Sequence, residues 1–218
     1  MSEWELSRAR WREAEPDLAL TWNEALDGLG FIDAVNRYAG FDAQKRLLEI
    51  GPGYGRLIES MLERGYRFRS YLGLDISNKN IEFLTGKYPG SRMKFVQGDA
   101  ELVSLPEKFD VIYSSATFHH FYPDNRQLLR NLAKALSAKG VLCFDLIEGN
   151  KAWFDGATYM RWYERAEITA ILEESNLRLV QFDEVQHTQK RKRLFVVAAP
   201  KASPFRQWVK SITSRLGL

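Results

Sequence analysis

Cysteine is almost absent from this chain: Cys143 is the single one in 218 residues. One thiol excludes an internal disulfide and a thiolate zinc cluster, and it points to a reducing compartment such as the cytoplasm. No run of 18 apolar residues occurs, so no segment reads as a membrane-spanning helix. The opening Met1-Ser2-Glu3-Trp4-Glu5 is acidic and polar and lacks the basic and apolar stretches of a secretory leader. Internal repeats and low-complexity stretches are missing as well. Acidic residues are missing from Val185 to Leu218, where eight basic ones stand: Lys190, Arg191, Lys192, Arg193, Lys201, Arg206, Lys210 and Arg215. Taken from totals of 31 basic and 28 acidic residues, this leaves residues 1–184 with 23 and 28, a net charge of −5. A mildly acidic body with a basic tail suggests an anionic partner for the tail.

What is present is an ordinary globular composition. The 45% hydrophobic fraction supplies one substantial core, and the 27% charged fraction is too low for a disordered chain. Residues 1–40 read as a helical N-terminal extension with three tryptophans, Trp4, Trp11 and Trp22. Within it Leu26, Leu29, Ile32, Val35 and Tyr38 recur at helical spacing, interrupted by Gly28 and Gly30. From about residue 45 the pattern changes to short apolar strands alternating with amphipathic helices. Strands are expected at Arg46–Ile50, Tyr71–Leu74, Lys94–Gln97, Asp110–Tyr113 and Val141–Ile147. Helices are expected at Arg56–Arg64, after a Ser77 cap, and through Leu128, Leu129, Leu132 and Leu136, with Asp124 and Gln127 as capping pair and Gly140 as stop. A helix at Arg165–Ser175 precedes two last strands, Leu177–Phe182 and Arg193–Ala198. About ten residues separate those strands, which favours an antiparallel hairpin.

Strand–helix alternation of this kind predicts an α/β, doubly wound, mostly parallel sheet. Ligands of such sheets bind outside the carboxyl ends of the strands, so the residues that follow each strand carry the function. Glu49-Ile50-Gly51-Pro52-Gly53-Tyr54-Gly55 follows the first strand. Its glycines permit a tight turn and a close backbone approach to a ligand, and on their own they fit a turn without a ligand too. The dinucleotide fingerprint G-x-G-x-x-G would put glycine at position 56, where Arg56 stands, which disfavours a pyrophosphate cradle and a nicotinamide-dependent oxidoreductase. Asp75 ends the second strand and suits a ribose diol, because a carboxylate accepts two hydrogen bonds. Asp99 and Ala100 end the third and suit an adenine edge.

Leu48-Glu49-Ile50-Gly51-Pro52-Gly53-Tyr54-Gly55, Gly73-Leu74-Asp75-Ile76-Ser77, Gly98-Asp99-Ala100 and Phe109-Asp110-Val111-Ile112 resemble the successive motifs of class I S-adenosylmethionine-dependent methyltransferases. The resemblance spans roughly residues 45–199. It implies a Rossmann-like, seven-stranded sheet with an antiparallel last strand, and S-adenosyl-L-methionine as cofactor. By motif match it implies Gly51, Gly53 and Gly55 along the methionine part and Glu49 at the amino group. Asp75 would hold the ribose, Ile76 would pack on the adenine, and Asp99 and Ala100 would read the adenine edge. Ser114 and Ser115 would give backbone contacts near the sulfonium. The implied division is an extension at 1–40 on the acceptor side, a methyltransferase domain at 41–199 and a tail at 200–218.

The methyl group of that cofactor is activated already. Proximity and orientation supply roughly 7–11 kcal/mol of a barrier, so in-line transfer needs no dedicated catalytic residue. His119 and His120, after the fourth strand, are the candidates for a general base; His-His segments of this kind are also structural. His187 reads as a surface residue and Cys143 as a core residue. Ser114 and Ser115 stand where a metal-assisted O-methyltransferase would want carboxylates, and Asp145, Glu148 and Asn150 make no convincing metal site. Tyr113-Ser114-Ser115-Ala116 is not the Asp/Asn-Pro-Pro-aromatic motif of DNA-base amino-methylation, which makes DNA an unlikely partner. Trp153, Phe154, Tyr159, Trp162 and Tyr163 either stack on an acceptor or form a packed lid. Trp208, Val209, Ile212 and Leu216 give the tail a basic amphipathic helix, which either meets anionic lipid at the membrane periphery or docks on its own domain.

The expected activity is methylation, chiefly O-methylation, of a small molecule or glycan. The alternatives are a macromolecular acceptor, RNA or protein, and a non-catalytic accessory protein that binds the cofactor.

Overall fold

The computed structural model describes residues 2–14, 28–105, 107–150, 160–188 and 191–201. Two helices come first, α1 (Glu3–Arg12) and α2 (Leu29–Ala39). Then follow β1 (Arg46–Ile50), α3 (Arg56–Glu63), β2 (Ser70–Asp75), α4 (Asn78–Lys87), β3 (Met93–Gln97) and β4 (Phe109–Ser114). A 3-10 turn at Phe118–His120 leads to α5 (Arg126–Ala135) and β5 (Leu136–Glu148). The two-residue β6 (Trp162–Tyr163), α6 (Arg165–Glu174), β7 (Leu177–Thr188) and β8 (Arg191–Pro200) complete the order.

The strands form one eight-stranded sheet in the order β3-β2-β1-β4-β5-β8-β7, with β6 paired to β5 off that path. All of the pairings from β3 to β5 are parallel, and β8 runs antiparallel between β5 and β7. The doubly wound sheet with an antiparallel last strand is therefore as the sequence predicts, with β6 added. Chain order reverses between β1 and β4, which places the ligand crevice at their carboxyl ends.

Both faces of the sheet are covered, so the central strands are apolar on both. Leu48, Ile50, Ile112, Leu142 and Phe144 face a core built with α5 and α6. Leu47, Val111, Tyr113, Val141 and Cys143 face the opposite core, built with α2 and α3. The helix N-termini follow sequence logic. Ser2 and Glu5 form a reciprocal capping box on α1, and the Ser77 side chain accepts from Asn80 N on α4.

Three expectations need correction. Helix α5 ends at Ala135, not at Gly140, because Leu136 already pairs with Phe109 and residues 137–140 form an irregular start to β5. Its expected capping pair is not formed: Asp124 accepts from Arg126 N, while the Gln127 amide reaches toward the Glu101 carbonyl. The final strands are also longer than expected. Pairing runs on to Thr188 and Arg191, so residues 189 and 190 alone separate them.

Helix α5 also ties down the loop after β3. The Asn131 amide donates to the carbonyls of Ala100 at 2.8 Å and Val103 at 2.7 Å. Asn131→Ala should remove both bonds and leave part-buried carbonyls unpaired, at about 2 kcal/mol. For a domain of this size the melting temperature should fall by about 4–8 °C. A thermal scan of the variant checks this, and an unchanged midpoint would show that the loop holds without α5.

Candidate active site

The site is built at the carboxyl edge of β1, β2, β3 and β4. Past β1 the chain turns through Gly51, Gly53 and Gly55, all at positive φ (67°, 56° and 90°). The three glycines serve different ends. A Cβ on Gly51 would meet the Thr117 side chain at 2.6 Å, so this glycine admits the loop after β4. A Cβ on Gly55 would meet Leu84 at 2.7 Å, so this one admits α4. Gly53 alone has nothing within 4 Å on that side, and it is the open face of the turn. Its amide donates to Asp75 Oδ2 at 2.9 Å, while Asp75 Oδ1 accepts from Ser77 N at 2.9 Å. The Asp75 carboxylate is thus buried at the end of β2 and bridges two loops. Burial raises its pKa, and these backbone donors oppose the rise. Ile76 is half-buried, and its carbonyl accepts from the Gln97 amide.

Glu49 lies just before the glycine turn and is 1% exposed. Its Oε2 accepts from the Tyr71 hydroxyl at 2.8 Å. Burial pushes its carboxyl up to about 7, against the opposing hydrogen bond from Tyr71.

At the end of β3, Asp99 has a partner that no sequence spacing announces. The Arg8 guanidinium of α1 pairs with Asp99 and with the buried Glu101, and it lies 3.7 Å from the centroid of the Trp4 ring. Burial raises Glu101 to about 7, and Arg8 opposes that rise. Helix α1 makes two further connections. Ser7 Oγ donates to the His120 carbonyl at 3.2 Å, and Ser77 Oγ donates to the Ala14 carbonyl at 2.5 Å. The helix and its C-terminal end thereby span the ends of β2 and β3 and the loop after β4. Ala100 is buried beside Asp99, with its carbonyl on Asn131.

The loop after β4 is organised by Asp145, a fully buried carboxylate on β5. Asp145 accepts from Ser115 Oγ at 2.8 Å and from Ala116 N at 2.8 Å, and it pairs with Arg193 of β8 at 3.1 Å. Arg56 donates to Ser115 Oγ at 2.9 Å, and Ser114 Oγ donates to the Ile50 carbonyl at 2.6 Å. Both serine side chains therefore knit the loop to its neighbours. Asp145, Arg56, Arg193 and Arg8 are site residues that sequence reasoning passed over. For Asp145 a signal existed: an aspartate inside the apolar run Val141–Ile147 must be paired when buried.

Arg193 also decides the role of His119. Its guanidinium lies 2.7 Å from His119 Nδ1. A guanidinium only donates, so Nδ1 accepts, and the neutral ring carries its proton on Nε2. A ring held this way presents a donor at Nε2. The His120 ring packs between His119 and Trp11, at centroid distances of 4.0 and 4.3 Å.

Tyr163, in β6, is fully buried under the Arg161 guanidinium and belongs to the core. Trp153, Phe154, Tyr159, the His187 side chain and the tail from 202 onward lie outside the described residues. Among the described residues no three His, Cys, Asp or Glu side chains are placed to hold a metal, and no helix is long and apolar enough to cross a membrane.

A ligand with a ribose and an amino acid part fits what is present: an open glycine turn, a buried carboxylate at each of the β1 and β2 ends, and a further carboxylate after β3. Residues 48–144 match the model of a methyltransferase domain. The fatty-acid O-methyltransferase of Mycolicibacterium smegmatis is 27% identical over 210 residues, which cover 90% of this chain and 71% of that protein. The malonyl-[acyl-carrier protein] O-methyltransferase of Calditerrivibrio nitroreducens is 35% identical over 98 residues, 45% of this chain and 36% of that one. Among solved structures, the Burkholderia thailandensis 1,6-didemethyltoxoflavin-N1-methyltransferase superposes with a TM-score of 0.69 at 18% identity, covering 90% of this chain and 88% of its own. The domain match lies over the same β1-to-β5 edge that carries the glycine turn, and the fold is shared with S-adenosylmethionine-dependent methyltransferases of known structure.

Proposed function

We propose that this methyltransferase acts on a small acyl-type carboxylate and makes its methyl ester. The observation that carries this reading is the Arg193 contact on His119 Nδ1, at 2.7 Å. It turns the His119 ring into a donor on the loop that faces the acceptor. An acceptor that needs no base is one whose oxygen is anionic already, and a carboxylate is ionised at neutral pH. Arg56 and Arg193 both converge on the Ser115–Asp145 pair, and their positive field favours an anionic acceptor over an amine. The two relatives named for fatty-acid and malonyl-carrier O-methylation support the same class.

When bound, the cofactor supplies an electrophilic methyl group on a sulfonium. Everything else falls to the chain. Asp75 would hold the ribose hydroxyls through the lone pairs not used by Gly53 N and Ser77 N. Gly53 would let the backbone approach the methionine part, with Glu49 at its amino group. Asp99 and Ala100 would face the adenine, with Arg8 keeping the Asp99 carboxylate in place. Ser114 and Ser115, anchored to β1 and β5, would set the backbone beside the reacting centre. Asp145 and Arg193 hold that loop in one shape, so the contribution of the protein is orientation.

Two predictions follow from these roles. Asp75→Ala should weaken S-adenosylhomocysteine binding more than about tenfold, because two charge-assisted hydrogen bonds are lost; unchanged affinity by calorimetry removes Asp75 from the site. His119→Gln should keep kcat within about tenfold of wild type on a panel of fatty acids followed by mass spectrometry of their methyl esters. A general base at this position would instead cost roughly 10²–10⁴-fold and give an ascending limb near pH ~6.5. If amines or alcohols, and not carboxylates, become methylated, the acceptor class is wrong.

A further inference from the structure

Glu49 has an environment unlike that of the other acids at the site. Asp99 and Glu101 share Arg8, and Asp145 has Arg193. Asp75 has two backbone amides. Glu49 has phenols. Tyr71 on β2 donates to it at 2.8 Å. Tyr113 is its register partner on β4. The Tyr113 hydroxyl is fully buried and bears on the Glu49 carboxyl, favouring its ionised form.

The other groups that bear on Glu49 are Arg56 from α3, Asp75 at the end of β2 and Tyr88 after α4. Arg56 acts on it through space, and Asp75 opposes its ionisation. Among the described residues, Glu49 is thus a carboxyl sealed between two tyrosines without a cation in contact. Such a group favours the neutral acid, because an apolar surround penalises the charged form and the phenol donors offset this only in part. The position of its carboxyl near 7 agrees with this.

Glu49 also lies two residues before Gly51, at the carboxyl end of a central parallel strand, where ligands of this sheet class bind. The cofactor brings an ammonium group to such a site. An ammonium has three hydrogens to donate. The Glu49 carboxyl is an acceptor at that end of β1.

We infer that Glu49 is stored as a neutral acid in the free protein and gives up its proton when the ammonium group of the cofactor docks beside it. Tyr71 is the positioning residue that sets where on the pH scale this occurs. The inference rests on the cofactor assignment and adds the proton step to it. In that step the carboxyl O–H bond breaks, the proton passes to the buffer, and no covalent bond forms. The cofactor then finds its counter-charge made on arrival, so the empty pocket does not hold a bare buried carboxylate. The linkage has a definite sign. The free-state pKa is raised and the bound-state pKa is lowered by the adjacent cation, so binding tightens as pH rises toward 7 and levels off above it.

Titration calorimetry with S-adenosylhomocysteine, in buffers of different ionisation enthalpy, reads this directly. That probe has the ammonium but no sulfonium, so only one cation is introduced. The wild type should release about one proton per ligand at about pH 6, and the release should fall toward zero by about pH 8. The affinity should climb by up to about tenfold per pH unit below 7. Methylthioadenosine, which lacks the amino acid part, should bind without proton release. Glu49→Gln should abolish both the release and the slope. Tyr71→Phe should move the release to higher pH, because the phenol donor favours the ionised form; a merely structural role would leave it in place. Binding of S-adenosylhomocysteine without proton release, or equal release with methylthioadenosine, overturns the inference and leaves the cofactor reading intact. No binding at any pH overturns both.

Discussion

The site depends on a single buried charge, the Asp145 carboxylate. A fully buried carboxylate is tolerated only when it is paired and hydrogen-bonded, and Asp145 obtains its partners from two separate segments. Ser115 and Ala116 come from the loop after β4, and Arg193 comes from β8. The antiparallel direction of β8 makes the last of these possible. Its start lies beside the end of β5, in the register Asp145↔Phe195, so Arg193 reaches the carboxyl edge of the sheet. Ala116 pays for the arrangement with a left-handed φ of 59°. That conformation costs roughly 1–2 kcal/mol. Each hydrogen bond to a charged acceptor contributes about 1.5–3 kcal/mol, so the turn survives because the carboxylate outweighs it. The same network fixes the tautomer of His119. The shape of the loop after β4 and the orientation of His119 have one cause.

The second long-range constraint runs through α1. Asp99 and Glu101 are two acids in one short loop, both largely shielded from water. Without a cation they would repel each other. Arg8 supplies it from a helix about ninety positions earlier in the chain. An ion pair of this kind adds little net stability, because desolvation consumes most of the attraction. Its effect is positional: it sets α1 over the ends of the strands, where Ser7 and Trp11 meet His120. The loop after β3 and the loop after β4 are thereby linked through one helix.

These two constraints mark the boundary of what the sequence discloses. The parallel strands were legible because burial on both faces leaves continuous apolar runs such as Val141–Ile147. The glycine turn, Asp75 and Asp99 were legible because each follows directly on a strand end. The end of α5 was not. Gly140 looks like a helix stop, yet the pairing of Leu136 with Phe109 pulls the preceding four residues into the start of β5. Tertiary pairing overrode a local signal there. Arg8, Arg56 and Arg193 were illegible for a different reason. Arginine is common on surfaces, and nothing within a local window distinguishes one that will meet a buried carboxylate from a distant segment. The tyrosines beside Glu49 read as strand apolars, and only the Tyr71 hydrogen bond and the β1–β4 register show them beside one acid.

The acids of the molecule divide by location, and the division has a thermodynamic sense. Asp33, Asp110 and Glu148, on the scaffold, are held below their ordinary values, with Arg64, Arg46 and Arg165 respectively as partners. Their contribution to stability is present above the ordinary carboxylate range and is lost as pH falls through it. Glu49, Asp75 and Glu101, at the site, are all raised, with burial as the leading cause. For these the folded state binds the proton more tightly than the unfolded chain does. Their contribution is present below the unfolded value and is lost as pH rises, up to about 7 for Glu49 and Glu101. Near neutrality the scaffold is therefore electrostatically settled while the site is under strain. Arg8 opposes the rise of Glu101 from within the chain, and Arg56 acts on Glu49 in the same direction, yet burial outweighs both.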